Sequence, residues 1–176
     1  MLTPNDIEEY FAAEKQAGMM FLIIGVVAVI LGVVFIFVFK TSFYKGAAVP
    51  LITIGLMQGI AGTTVFRRSD DDRIRNVYAY NMNPAQLREK ELPRMTTVNR
   101  NFRILKVVEI VFIITGLLLI IIFRTKPGFN FWKGLGLTLF LQSILVLGAD
   151  ILAEKRANIY TGKLTAFVAN QSTALN

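Results

Sequence analysis

The chain has 176 residues, of which 54% are hydrophobic and 18% are charged, and its formal net charge is +7. This apolar content exceeds what one soluble core of this size can cover, so the composition favours a membrane protein. The sequence contains no histidine and no cysteine, which excludes Ser-His and Cys-His catalytic couples, imidazole or thiolate zinc sites, His-ligated haem and disulfides. We therefore expect no cofactor and no enzymatic activity.

Four stretches of the chain are long and apolar enough to cross a bilayer as helices, which takes about 20 residues each. They lie at about residues 18–39, 47–66, 104–123 and 131–153. A cleavable signal peptide is the alternative for the first stretch, but the residues before it are acidic rather than basic, and the stretch is too long for such a leader. The sequence therefore predicts an all-α integral membrane protein with a single domain over residues 1–176.

The lysines and arginines predict how the spans are oriented. Nine of the 19 lie between residues 67 and 103, five more flank other span ends on the same side, and only five lie on the opposite side. Basic segments stay preferentially in the cytoplasm, so both termini are predicted to be cytoplasmic in a bacterial-type inner membrane. This distribution accounts for the net charge through topology and anionic headgroups, and no nucleic-acid partner is expected.

The two halves of the chain resemble each other at several positions in the same order. Gly32 and Gln58 correspond to Gly116 and Gln142, and the offset between matching positions stays between 80 and 84. We therefore expect a parallel internal repeat of two tandem helical hairpins, related by a pseudo-twofold axis along the bilayer normal. The predicted units are a first hairpin at 1–80, a second hairpin at 81–164 and a C-terminal tail at 165–176.

Each unit is predicted to open with a short amphipathic interfacial helix that precedes span 1 or span 3. Thr3 or Asn83 can act as the N-cap, followed by a proline at the first helical position. Ile7 and the aromatic residues near it share one helical face, which we expect to lie on the membrane surface or to dock against the bundle. Residues 93–103 are expected to continue helically into the third span.

Glu109 is the most costly side chain to place in a bilayer, because it lies inside the third span. A carboxylate at the centre of a span costs about 2.5–3.5 kcal/mol, and somewhat less near the interface. Two interpretations are open. Glu109 and Asp150 lie at comparable depth and can form a proton or cation site, since intramembrane ionisable groups are commonly functional. Alternatively, Glu109 pairs with Lys106 on the same helical face and has a structural role.

Gln58 and Gln142 lie near the middle of the second and fourth spans. An amide in hydrocarbon seeks a partner, and one such contact between helices contributes about 0.6 kcal/mol on average. We expect the two amides to face each other and to fix the register of these spans. A channel lining is the alternative.

Small residues mark the faces on which the spans are expected to pack. They recur every seven residues in the first span and form a Gly-x-x-x-Gly pattern in the second, which lets helix backbones approach closely. These glycines are Gly18, Gly25, Gly32, Gly55, Gly59 and Gly62.

The segment at 67–103 is predicted to be a cytoplasmic loop that can contact a partner. The arginines expected to form this contact are Arg67, Arg68, Arg73, Arg75 and Arg94. The run at residues 70–72 consists of aspartates, which could bind a divalent metal and a lipid phosphate and make the protein a lipid-modifying enzyme. Because arginines flank the run and no second acidic cluster follows, a solvated, self-neutralising loop without a metal is favoured.

The favoured function is that of a non-catalytic membrane protein that binds another membrane protein. An accessory or assembly subunit and an immunity protein against a membrane-acting toxin both fit this description. The alternative is a small oligomeric ion-coupled transporter or channel that uses Glu109 and Asp150. The expected partners are the lipid bilayer and either another membrane protein or further copies of the chain.

Overall fold

The computed structural model describes residues 2–174, and within this range the chain forms four long α-helices and no strand. The helices are α1 at Pro4–Val34, α2 at Ser42–Met82, α3 at Leu92–Phe123 and α4 at Asn130–Ala174. A π-helical turn at Phe35–Phe39 extends α1, and a second one at Leu87–Glu91 leads into α3. The predicted all-α class with four helices is confirmed.

The predicted start signal of the first helix is present. The Thr3 hydroxyl accepts a hydrogen bond from the backbone N–H of Asp6 at 3.2 Å, and the Asp6 carboxylate accepts one from the backbone N–H of Thr3 at 2.8 Å. Asn83 also lies at a helix boundary, but its backbone carbonyl, rather than its side chain, accepts the N–H of Gln86 at 3.1 Å. The first helix therefore has a full capping box, whereas the second start is a backbone turn.

The prediction of separate interfacial helices before spans 1 and 3 is wrong. Residues 4–34 form one uninterrupted helix, and residues 93–103 continue into the third span as expected. The predicted tail is also helical as far as Ala174 within α4, and residues 175–176 lie outside the described range. At 1.5 Å per residue, the 45 residues of α4 extend for about 67 Å, roughly twice the thickness of a bilayer core.

The helices pack as two hairpins. α1 packs along α2, α3 packs along α4, and the two hairpins meet mainly through α2 and α4. In the described part of the chain, the backbone of α3 does not approach that of α1 or α2, and side chains near its start, such as Arg94, bridge the distance to both. The first and third helices therefore flank a gap whose floor is formed by the second and fourth.

Each helix divides into a polar and an apolar half. The polar half, residues 2–17, 67–103 and 154–174, contains the buried hydrophobic cluster. That cluster comprises Leu2, Ile7, Tyr10, Phe11, Ala79, Leu87, Met95, Ala157, Tyr160 and Leu164. The apolar half, residues 18–66 and 104–153, exposes many large aliphatic side chains, and only 11–22% of the most apolar window of each helix is buried. All four helices are long and apolar enough to cross a membrane.

Candidate functional site

The two hairpins border a partly open cavity of about 400 Å³ that all four helices line. In the apolar half it ends at Phe21, Ile54, Phe112 and Ser143, one residue from each helix. Towards the polar half it is lined by Tyr10, Glu14, Arg68, Asn101 and Arg156. Pockets that hold small molecules have volumes of about 300–1,000 Å³, so the cavity has the size of a small-ligand site.

Beyond the apolar end of the cavity, the first turns of α2 and α4 are in backbone contact. A Cβ atom on Gly46 would collide with the carbonyl oxygen of Phe131, and one on Gly134 would collide with the carbonyl oxygen of Phe43. The two contacts are reciprocal: on each helix the glycine follows a phenylalanine by three residues, and it contacts the corresponding phenylalanine of the other helix. This crossing joins α2 to α4 beyond the apolar end of the cavity, and the sequence interpretation did not single out either glycine.

Glu109 and Asp150 come together in the cavity wall, α3 contributing the first and α4 the second. Their carboxyl groups are close enough to act on each other's charge, and only 6% of the Glu109 surface is exposed. Lys106 forms its ion pair with Glu154, so the predicted Glu109–Lys106 pair is not present. The Oε2 atom of Glu109 is buried and has no hydrogen-bond partner among residues 2–174. The structure thus brings together the two carboxyl groups of the first interpretation.

The two glutamines are both buried, with 7% of Gln58 and 8% of Gln142 exposed. No hydrogen bond joins them, since Gln58 Oε1 and both amide atoms of Gln142 have no partner within the described residues. The predicted contact between the amides is therefore wrong. Gln58 instead lines the cavity beside Ser143, whose buried hydroxyl also has no partner. Gln58, Glu109 and Ser143 thus each have one buried oxygen without a hydrogen-bond partner among the described residues, and all three line the same cavity.

The predicted small-residue faces hold α1 against α2. A Cβ on Gly25 would lie 2.5 Å from the carbonyl oxygen of Gly55, and one on Gly62 would lie 2.6 Å from that of Gly18. Gly32 similarly faces Ala48 and Ile52 of α2. Gly59 is in contact through its backbone, although a Cβ at this position would have nothing within 4 Å. The first hairpin is therefore a close backbone packing, as the sequence predicts.

The segment at 67–103 is not a loop, because α2 continues through Met82 and the next helix begins soon after. Its arginines mostly pair inside the molecule. Arg68 donates to Glu14 at 3.0 Å, and Arg75 donates to Asp72 at 2.6 Å. Arg73 lies 3.7 Å from Asp70, whereas Arg67 is exposed. The predicted contact surface is thus largely a set of internal ion pairs.

Arg94 differs most from the prediction, since it belongs to a buried polar network rather than to a contact surface. It donates two hydrogen bonds to Glu91, at 2.7 and 2.8 Å, and its guanidinium carbon lies 5.2 Å from the centroid of the Phe11 ring. Glu91 has 1% of its surface exposed and also accepts a hydrogen bond from Asn76 at 3.1 Å. Asp72, 6% exposed, completes the network, so it is not solvated as predicted.

The aspartate run is divided among separate partners. Asp70 pairs with Lys15, whose ammonium holds the pKa of the Asp70 carboxyl below its usual range, and Asp72 pairs with arginines, while Asp71 is exposed. Within the described residues, no group of three or more acidic side chains is arranged to hold a metal ion. The arrangement offers no shared site for a metal and a lipid phosphate.

Aromatic and acidic groups form the polar end of the cavity. The rings of Tyr10 and Tyr160 stack at a centroid distance of 4.3 Å, and burial raises the pKa of both phenols. Burial also raises the pKa of the Glu14 carboxyl, against the opposing effect of Arg94 and Arg68. The sequence interpretation did not assign Glu14 or Ser143 to a site, because only the continuous α1 helix and the packing of the hairpins bring them to this cavity.

The cavity can hold a proton or a small cation. A hydrogen bond between the carboxyl groups of Glu109 and Asp150 requires one proton, which can be exchanged for a cation. The unpartnered oxygens of Gln58 and Ser143 add neutral acceptors beside the pair. A comparison of the chain with protein-family models, with curated proteins and with solved structures finds no match.

Proposed function

We propose that the chain is a four-span integral protein of a bacterial-type inner membrane, with both termini and the whole polar half in the cytoplasm. The exposed aliphatic surface of the apolar half supports this proposal. In water this large apolar surface would remain exposed to solvent, whereas in a membrane the lipid chains would cover it. The concentration of arginines and lysines in the polar half supports the orientation. A reporter fused between α2 and α3, near residue 85, should therefore be active only on the cytoplasmic side.

We also propose that the two hairpins are copies of one ancestral unit. Gly32 of α1 faces Ile52 of α2, and Gly116 of α3 faces Phe140 of α4 in the same way. The offset is 84 residues between the two glycines and 88 between the residues that they face. The offset thus grows by four residues from the first helix pair to the second at this contact, which a duplication followed by a small insertion between the paired helices would explain.

We propose that the cavity is the functional site and that the protein is an ion-coupled transporter or channel. The observation that carries this proposal is the carboxyl pair of Glu109 and Asp150 in the cavity wall, whose nearby lysine, Lys106, forms its ion pair with Glu154 instead. Ionisable groups at this depth are expensive and are commonly retained for ion or proton pathways. The cavity lies between the polar half and the α2–α4 crossing at Gly46 and Gly134, so its lining belongs to the part of the bundle that the proposed orientation places in the membrane near the cytoplasmic side.

Purified protein in liposomes that contain a pH-sensitive dye tests this proposal. Under an imposed membrane potential or an imposed gradient of Na⁺ or K⁺, the wild type should move protons faster than empty liposomes do. Glu109→Gln should remove this activity, whereas Glu8→Gln, which changes an exposed carboxylate of the polar half, should retain it. Equal rates in wild-type and empty liposomes, or full activity of Glu109→Gln, would contradict the proposal.

A second candidate function is the binding of another membrane protein, as an accessory, assembly or immunity-type protein. One observation favours it: Ile74, Tyr78 and Met82 are each at least 60% exposed and follow one another at intervals of four residues along the polar half of α2. This stripe, rather than the arginines, is the candidate contact. Replacement of all three residues by serine should release a stoichiometric partner from the purified native complex if the stripe binds it, and retention of the partner would refute this.

A further inference from the structure

The charge of the side chains that line the cavity changes with depth. At its polar end, the basic side chains of Arg68 and Arg156 lie with Glu14, to which Arg68 donates. Deeper, the lining contains the carboxyl groups of Glu109 and Asp150 but no basic side chain. The inner part of the cavity therefore carries negative charge only, and it has no positive group to receive an anion.

The surroundings of the carboxyl pair strengthen this asymmetry. The nearest lysine, Lys106, is used by Glu154, which is itself close enough to Asp150 to act on its charge. The ammonium group of Lys106 is thus set against three carboxyl groups at this level of the molecule, those of Glu109, Asp150 and Glu154. An additional cation would compensate the remaining charge, and its effect is large where water is excluded.

The walls beside the carboxyl pair are apolar and wide. Phe21 of α1 and Phe112 of α3 lie on opposite hairpins, with Met57 of α2 between them in the lining. Aromatic faces attract organic cations through the ring quadrupole, and a flexible thioether adapts to bulky apolar groups. An inorganic ion would use the carboxyl groups but would leave most of a 400 Å³ apolar cavity unfilled.

We infer that the ligand of this cavity is a monovalent organic cation with a bulky apolar body, whose charge lies at Glu109 and Asp150 and whose body packs on Phe21, Phe112 and Met57. This inference rests on the proposed functional site, and it adds the class of its ligand. The amide oxygen of Gln58, buried and without a partner, lies at the same cavity and can accept a hydrogen bond from a cation that carries N–H groups.

The gap between α1 and α3 provides a path for such a ligand. The backbones of these two helices do not approach each other in the described part of the chain, so in the apolar half the cavity can be reached from the side. A lipophilic cation concentrates at the surface of the bilayer, where this gap would open in the proposed orientation. The cation displaces the proton that the carboxyl pair shares, and that proton leaves to the solvent.

Binding of tetraphenylphosphonium to the purified full-length protein in detergent tests the inference. We expect saturable binding of one cation per chain, release of a proton on binding, and weaker binding at lower pH because protons compete for the carboxylates. Tetraphenylborate has the same shape and the opposite charge, and it should not bind. Glu109→Gln should weaken binding of the cation at least tenfold, whereas Glu8→Gln should not change it.

A second pair of variants tests the cavity without altering any charge. Ala17→Phe places a ring in the cavity and should abolish binding, while Ala12→Phe, on an exposed position of the same helix outside the lining, should preserve it. Equal binding of the two tetraphenyl ions, or unchanged binding in Ala17→Phe, would overturn the inference. If ion flux depends on Glu109 but the cation does not bind, the inference fails and the proposed function stands. If the cation binds through Glu109 but no flux occurs, the ligand class stands and the transport function fails.

Discussion

Replacement of Arg94 by methionine should destabilise the protein strongly, because it leaves buried carboxylates without their main cation. In the structure, Arg94 gives Glu91 two hydrogen bonds, at 2.7 and 2.8 Å, and lies 3.9 Å from Asp72. Asp72 would still be paired with Arg75 after the change. Glu91, which is almost fully buried, would be left with one hydrogen bond from Asn76.

The expected loss follows from the burial of Glu91. Removal of one partner from a buried ion pair costs about 3–5 kcal/mol, which is a large part of a total stability of about 5–15 kcal/mol. For a chain of this size, a loss of 3 kcal/mol lowers the midpoint of thermal unfolding by about 6–12 °C. The double variant Glu91→Gln, Arg94→Met removes both charges together, so it should recover most of that loss.

Thermal unfolding in detergent, followed by circular dichroism, measures these effects. Arg88→Met is the matched control, because Arg88 is an exposed arginine of the same helical segment, and its midpoint should stay within about 2 °C of the wild type. Arg94→Lys should be intermediate, since an ammonium group keeps the charge but not the paired geometry. If Arg94→Met is as stable as Arg88→Met, or if the double variant is less stable than Arg94→Met, the reasoning about this network is wrong.

Two further predictions concern contacts between helices. Gly46→Ala should lower the unfolding midpoint by an amount that corresponds to about 1–3 kcal/mol, because the new Cβ would collide with the backbone of α4. Gly59→Ala is the control, since a Cβ there has open space and should be tolerated. Equal midpoints of the two variants would contradict the close crossing. Lys163 donates to Asp6 at 2.6 Å, and this hydrogen bond holds the pKa of the Asp6 carboxyl below its usual range. A depressed carboxyl pKa stabilises the fold above the unfolded value of 3.8, and this contribution is lost as the pH falls through the folded pKa. Lys163→Met should therefore cost about 0.5 kcal/mol at pH 7 and progressively less as the pH falls below 3.8. A loss that is independent of pH would contradict this origin.

The helical class and the four apolar stretches could be predicted because they depend on local composition alone. A run of uncharged residues as long as 18–39 has few alternatives to a helix in lipid, whatever the rest of the chain does. The capping box at Thr3 is equally local, since it involves residues three positions apart. These predictions required no knowledge of which helix packs on which.

The ends of the helices could not be predicted in the same way, because the polar half resembles a soluble bundle. Tyr10 and Phe11 on α1 pack against Tyr160 of α4, which is about 150 residues away in the sequence. Such contacts allow a helix to continue past the lipid boundary, where an amphipathic pattern alone equally suits a helix lying on the membrane. The loop predicted at 67–103 is mostly helical in the structure for the same reason, because its arginines meet their acidic partners only after the helices pack.

Of the two residue pairs predicted at the candidate site, one comes together in the structure and the other does not. Glu109 and Asp150 were matched by depth, and the packing of α3 on α4 brings them together. Gln58 and Gln142 were matched by an offset of 84, whereas the glycine contacts relate α2 to α4 by an offset of 88. The difference is about one helical turn, enough to move one amide along its helix relative to the other.

The division of the molecule into two halves explains how a cavity with unpartnered polar groups can persist. The polar half has its own hydrophobic cluster and a set of ion pairs that joins α1, α2, α3 and α4, so the helices are held together there. At the far end, the reciprocal contacts of Gly46 and Gly134 join α2 to α4. With both ends fixed, the two hairpins do not have to pack tightly against each other in the middle of the apolar half to keep the fold. Gln58, Glu109 and Ser143 lie in that middle region, and their buried atoms without a partner among the described residues are the groups that the proposed ligand would meet.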